Sequence, residues 1–116
     1  MTMRNALVIK ADGKIHGIDL GKNSLEEYEA LRDAVGGSIQ MVPLSDSDML
    51  LWCHEEGKLI GLPYNEKATK MWVKYWGKTD VMVGDCVITG GVDWESELSK
   101  GLTPAQILLV SAVTDG

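Results

Sequence analysis

At 116 residues the chain is sized for one domain, and its 45% hydrophobic and 24% charged content is ordinary for a globular protein, which excludes a disordered segment. Its 17 acidic and 11 basic residues give a formal charge of −6, which argues against direct nucleic-acid binding, because phosphate contacts need a basic patch. Two cysteines, Cys53 and Cys86, make no disulfide framework, and the apolar run Ala6–Ile9 is too short for a signal peptide or a membrane span, so a cytoplasmic protein with reduced thiols is expected.

Ala6–Ile9 reads as a buried strand, Ala11–Lys14 as a turn and Ile15–Leu20 as the second strand of a hairpin. Ser24-Leu-Glu-Glu27 has the form of a capping box, with the Ser24 hydroxyl accepting an amide and Glu27 reaching back. Leu25, Tyr28, Leu31 and Val35 then recur at helical spacing until Gly36-Gly37, which predicts a helix over Ser24–Val35. In Ser38–Leu44, Ile39, Met41 and Pro43 share one strand face, and Pro43 places that strand at a sheet edge or a strand end. Met49–His54 suits a central strand, Glu55–Lys58 a turn, and Leu59–Leu62 a short returning partner strand. Asp80–Thr89 alternates as a last strand, ended by Gly90-Gly91 and followed by a polar connector around Trp94. Thr103-Pro-Ala-Gln106 opens a third helix with a Thr cap, Pro in first position and Gln where a capping box wants it, while Leu102 and Ile107 are placed for a hydrophobic staple.

Between the central strand and the last one, Asn65 caps a second helix running to Trp76, with Ala68, Met71, Trp72, Tyr75 and Trp76 on one side. Lys67, Lys70, Lys74 and Lys78 fall within about one quarter of its circumference at ~100° per residue. From Asn65 to Lys78, four lysines against Glu66 make +3 and leave −9 for the rest of the chain. Cations beside aromatic rings suit an acidic protein partner, a phosphate-bearing ligand or a base stack.

Catalytic and metal chemistry find little support. Cys53, His54, Cys86 and His16 lack the paired spacing of a zinc site, and adjacent strand residues Cys53 and His54 point to opposite faces. The same divergence denies Cys53 a neighbouring base. Glu55-Glu56 reads as a solvated turn, and Gly36-Gly37 and Gly90-Gly91 match no phosphate loop. A non-enzymatic protein without cofactor or metal is expected.

The expected architecture is a single α+β domain over residues 1–116. It has one mainly antiparallel sheet of about four to six strands and about three helices, near Ser24–Val35, Asn65–Trp76 and Thr103–Val113. The last helix is apolar on nearly every side through Ile107, Leu108, Leu109, Val110 and Val113, so burial in the domain or in a homodimer is expected, with the dimer favoured.

Leu25–Gly37, Ile39–Leu44, His54–Thr69 and Asp80–Ile88, taken in order, resemble the domain-of-unknown-function family 3846 of bacteria, notably actinobacteria, and their bacteriophages. The resemblance covers about residues 6–91, leaving the connector and helix of 92–113, and Glu55-Glu-Gly-Lys58 with Gly61-Leu-Pro-Tyr-Asn65 is its most specific part. It implies no activity, cofactor or catalytic residue. Its setting implies a small accessory protein of a phage or mobile element that binds a host protein. The expected surface is Lys70, Trp72, Lys74, Tyr75 and Trp76. The alternatives are a nucleotide-type small-molecule binder using the same face, and an acidic DNA mimic using Glu26, Glu27, Glu29, Asp33, Asp46, Asp48, Glu55 and Glu56.

Overall fold

Alternation along the strands decides which helix covers which side of the sheet. The computed structural model describes residues 4–115. In chain order the elements are β1 (Asn5–Ile9), β2 (Ile15–Asp19), α1 (Ser24–Val35), β3 (Ile39–Pro43), β4 (Met49–His54), α2 (Glu66–Trp76), β5 (Cys86–Gly90), β6 (Val92–Asp93), β7 (Leu98–Ser99) and α3 (Pro104–Asp115). Five strands form an antiparallel sheet in the order β2-β1-β5-β4-β3, and β6 and β7 make a separate small hairpin. The fold is α+β.

Successive residues of each strand face opposite ways. Ile9, Leu51, Cys86 and Ile88 pack with Ala68 and Met71 of α2 and Val110 of α3. Ala6, Val8 and Val87 pack on the other face with Leu31 and Val35 of α1. The central strand β5 is consequently buried along its whole length. On the α1 face a polar contact joins β4 to β5, where Trp52 Nε1 donates to the buried Thr89 Oγ1 at 2.9 Å.

Side chains at the helix starts explain where α1 and α2 begin. Asn65 is fully buried, yet each of its polar groups is satisfied. Its Oδ1 accepts Ala68 N at 3.0 Å, capping α2. Its Nδ2 donates to Ile9 O at the end of β1 and to Gly84 O ahead of β5, each at 2.8 Å. Its backbone N–H donates to Met82 O at 2.9 Å, and Thr69 Oγ1 returns the link by accepting Met82 N at 2.8 Å.

At α1 the cap is Asn23, not Ser24: its side chain accepts Glu26 N at 2.9 Å, and Glu26 reaches back to Lys22 N at 2.9 Å. The box sits one residue early because Glu27 is committed elsewhere. It is buried against Arg4, whose Nη1 lies 2.6 Å from Glu27 Oε1, and it also accepts Ser99 N at 3.0 Å. Arg4 further donates to Leu20 O and Gly21 O, so one ion pair ties β1, the loop before α1, α1 and β7 together.

Four other sequence expectations are corrected. Leu25 and Tyr28 are exposed, and α1 buries Glu27, Leu31 and Val35 at steps of four instead. Leu59–Leu62 is not a strand, because both edges of β4 are already occupied by β3 and β5; the chain winds through turns with Ile60 N donating to Glu56 O and Leu62 N to Gly57 O. The ladder of the Asp80–Thr89 region starts only at Cys86, since Gly84 adopts a left-handed φ of 72° beside Leu62. It is also not the last strand, because β6 and β7 follow. The α3 capping box forms as expected, with Gln106 N to Thr103 Oγ1 at 3.1 Å and Thr103 N to Gln106 Oε1 at 2.9 Å. Val110 and Thr114 of α3 are buried in the domain while Leu108 stays exposed.

Replacing Asn65 tests this account. Asn65→Ala removes the amide donor shared by the Ile9 and Gly84 carbonyls and removes the cap, with an expected cost of about 3 kcal/mol. Urea unfolding should show a lower midpoint with an unchanged slope. Asn65→Asp should not rescue it, because an ionised carboxylate keeps the acceptor and has no hydrogen for the two carbonyls.

Candidate functional site

The pairing of β3 with β4 sets Gln40 opposite Cys53 and Val42 opposite Leu51, so these side chains project toward α2. The turn after β4, the segment 80–83 and Trp72 of α2 stand around them. Together they enclose a cavity of about 190 Å³ whose walls include Val42, Cys53, Trp72 and Met82. Trp72 is fixed there by Nε1 donating to Thr79 Oγ1 at 2.9 Å.

The mouth carries an ion pair, Lys58 with Asp80. Asp80 Oδ1 also accepts Val81 N at 2.8 Å. The hydrogen bond from Lys58 holds the Asp80 carboxyl below its usual value. Burial pushes the Cys53 thiol up, which the nearby Lys58 charge opposes in part and Asp80 reinforces. Burial pushes the Cys86 thiol up as well. His54 leaves β4 toward the opposite face: its Nδ1 accepts Glu56 N at 3.0 Å and its ring fills the space where a side chain at Gly37 would stand. Cys53 and His54 therefore assemble no base-activated thiol. Among the described residues, no group of three or more His, Cys, Asp or Glu is arranged to hold a metal ion, and no helix is long and apolar enough to cross a membrane.

Two apolar side chains stand exposed on the rim, Leu59 at 87% and Val81 at 45%. Reading 59–62 as a strand hid the first. The glycine and proline that follow it, Gly61 and Pro63, were the available sign of a turn.

The structure divides the five residues expected to form the surface. Trp72 is cavity wall, and its ring centroid lies 6.2 Å from that of Trp76. Trp76, 42% exposed, donates from Nε1 to Pro43 O at 3.0 Å at the end of β3. Tyr75 packs at the margin of the core, where burial raises its hydroxyl pKa, and Lys74 Nζ lies 5.7 Å from its ring centroid. Lys70 turns toward α3, with Nζ 3.5 Å from Thr114 O. Lys78 falls beyond the end of α2. Trp72 and Trp76 thus adjoin the cavity and the β3 edge, Tyr75 packs against the core, and the two lysines line the side facing α3.

With that geometry in place, comparison with known proteins identifies the family. A model described as a domain of unknown function (DUF3846) matches residues 3–114, so the chain belongs to this family. The match takes in the β6–β7 hairpin and α3 as well as the motif-bearing region. No curated protein and no solved structure matches the chain. Within the motif Glu55–Lys58 with Gly61–Asn65, Glu55 and Lys58 line the cavity and Asn65 anchors the helix that forms its wall.

The ion pair at the mouth sets the expected pH response. Because the folded Asp80 pKa is depressed, the pair's contribution is fully present above the ordinary value of 3.8 and is lost as pH falls through the lower folded value. Both partners are well exposed, so the contribution should be no more than about 1 kcal/mol. NMR titration of the Asp80 carboxyl should give a midpoint below 3.8, returning toward it in Lys58→Met.

Proposed function

We propose that this member of a family of unknown function is a non-enzymatic binding domain that takes a side chain of another protein into the cavity over Trp72. The observation carrying this reading is the rim. Leu59 and Val81 present apolar surface to solvent beside an apolar-walled hollow, which costs free energy unless a partner covers it. At the Trp72 cavity, size favours a side chain over a nucleotide-type ligand, whereas the more open groove beside Lys70 and Lys74, about 430 Å³, is where that alternative would lie. Small-molecule sites typically occupy about 300–1,000 Å³, whereas about 190 Å³ suits one inserted side chain.

A host protein as partner, in a phage or mobile-element setting, is the form of this proposal that the family resemblance favours. The acidic-mimic alternative loses support because Glu27 is buried in its pair with Arg4 and Asp48 is paired with Lys100 at 2.7 Å. A homodimer through α3 draws support from the exposed Leu108, while Ile107, Leu109 and Val113 already pack inward.

Leu59→Asp removes the rim contact at a position that contributes little to the core. Loss of such an anchor should weaken partner capture from host lysate by about 2 kcal/mol, read as protein recovered by mass spectrometry after affinity capture. A Lys70/Lys74 charge reversal should act more weakly and mainly on association rate and salt sensitivity. Trp76→Ala tests the aromatic flank. Undiminished capture by folded Leu59→Asp and Trp76→Ala proteins would falsify the reading.

A further inference from the structure

The β3 strand closes one end of the sheet, and its outer side is open in a specific register. Glu55 N donates to Ser38 O and Leu44 N to Met49 O, so Gln40 and Val42 spend their backbone groups on β4. Ile39, Met41 and Pro43 turn theirs outward. Pro43 has no N–H to offer, and its carbonyl is taken by Trp76. Among the described residues, no hydrogen bond reaches the outward backbone groups of Ile39 or Met41. An unprotected edge of this kind is the template for strand addition.

A hollow lies beside this edge on each face of the sheet. On the α2 side Gln40 and Val42 border the Trp72 cavity. On the α1 side Met41 and Pro43 border a groove that also has Trp94, Asp46 and Asp48 in its walls. Trp94 is 84% exposed at the tip of the β6–β7 hairpin, which brings Asp93, Glu95 and Glu97 as well. Among the described residues, a cation pairs with one of these five carboxylates, Asp48, and it is Lys100. An added strand alternates its side chains between faces, so consecutive residues would enter the two hollows in turn.

We propose that an extended segment of another protein adds to β3 along Ile39–Met41, placing an apolar side chain in the Trp72 cavity and an adjacent basic one in the Met41–Trp94 groove. This rests on the protein-binding reading above and specifies the partner's form. Charge complementarity selects a foreign segment over a second copy of the chain. The copy's own β3 region, Gly36–Leu44, carries no cation to meet Asp46 and the hairpin acids.

The probe is a library of short random linear peptides selected on the full chain. Selected sequences should carry Lys or Arg next to an apolar residue, and the Ile39 and Met41 amides should gain hydrogen-exchange protection in the complex. Met41→Pro should abolish binding while the protein stays folded, because that N–H faces outward and Pro43 already holds the equivalent place two residues on. The selected peptide, N-methylated where it faces β3, gives the same test without altering the protein, and should also fail to bind.

Peptides that bind Met41→Pro and survive N-methylation, yet are lost with Leu59→Asp, overturn strand addition and leave the cavity reading standing. Binding indifferent to both Met41→Pro and Leu59→Asp overturns both. Selection of acidic or uncharged peptides, or a self-association in sedimentation that Met41→Pro removes, overturns the basic foreign segment as occupant.

Discussion

The carboxamide of Asn65 is the contact on which the α2 half of the molecule depends. Three elements distant in sequence meet there: the end of β1 through Ile9 O, the approach to β5 through Gly84 O, and the first turn of α2 through Ala68 N. No other side chain offers two donors and an acceptor in so small a volume without charge. By fixing the start of α2 it also fixes the azimuth at which Trp72 meets β3 and β4. The bonds from Asn65 N to Met82 O and from Met82 N to the Thr69 hydroxyl hold another wall of the cavity to the same point.

The α1 half has its own polar clamp, with different physics. Arg4 and Glu27 bury a charge pair, which is favourable only because the guanidinium and the carboxylate fill their remaining valences with Leu20 O, Gly21 O, Ser99 O and Ser99 N. Glu27 also lies in the first turn of α1, where the helix dipole favours an anion. Lys58–Asp80 and Lys100–Asp48 are different in kind: exposed, screened, and able to part at small cost. The molecule therefore keeps its firm electrostatics inside and its yielding ones around the two hollows.

Local signals made the helices legible. The α3 box could be read in full because Thr103, Pro104 and Gln106 act on one another and on nothing remote. At α1 the same logic misplaced the cap by one residue, since Asn23 and Ser24 are both competent caps and the choice was made by Arg4 far away in the chain. The edge position of β3 was legible from Pro43. The fate of Leu59–Leu62 was not, because it depended on β4 having both neighbours filled by strands remote from it. The cavity lay beyond reach for that reason as well, its walls coming from four separate stretches. The helix nominated from Trp72, Tyr75 and Trp76 did lead to it, through Trp72 alone.

The strand order has a consequence for how the chain is made. The two hairpins, β1–β2 and β3–β4, are complete once His54 has emerged, but they do not touch as a ladder; β5 is the plank that joins them. It arrives roughly thirty residues later, a few seconds at about 5–20 residues per second of synthesis. Through that interval β1 and β4 are both bare-edged, and Leu51, Val8 and Ile9 have no strand between them. Closing such long loops is slow relative to forming the hairpins. The nascent chain thus waits with a gap in its centre, and the sheet becomes continuous only when its middle is threaded in from the C-terminal side.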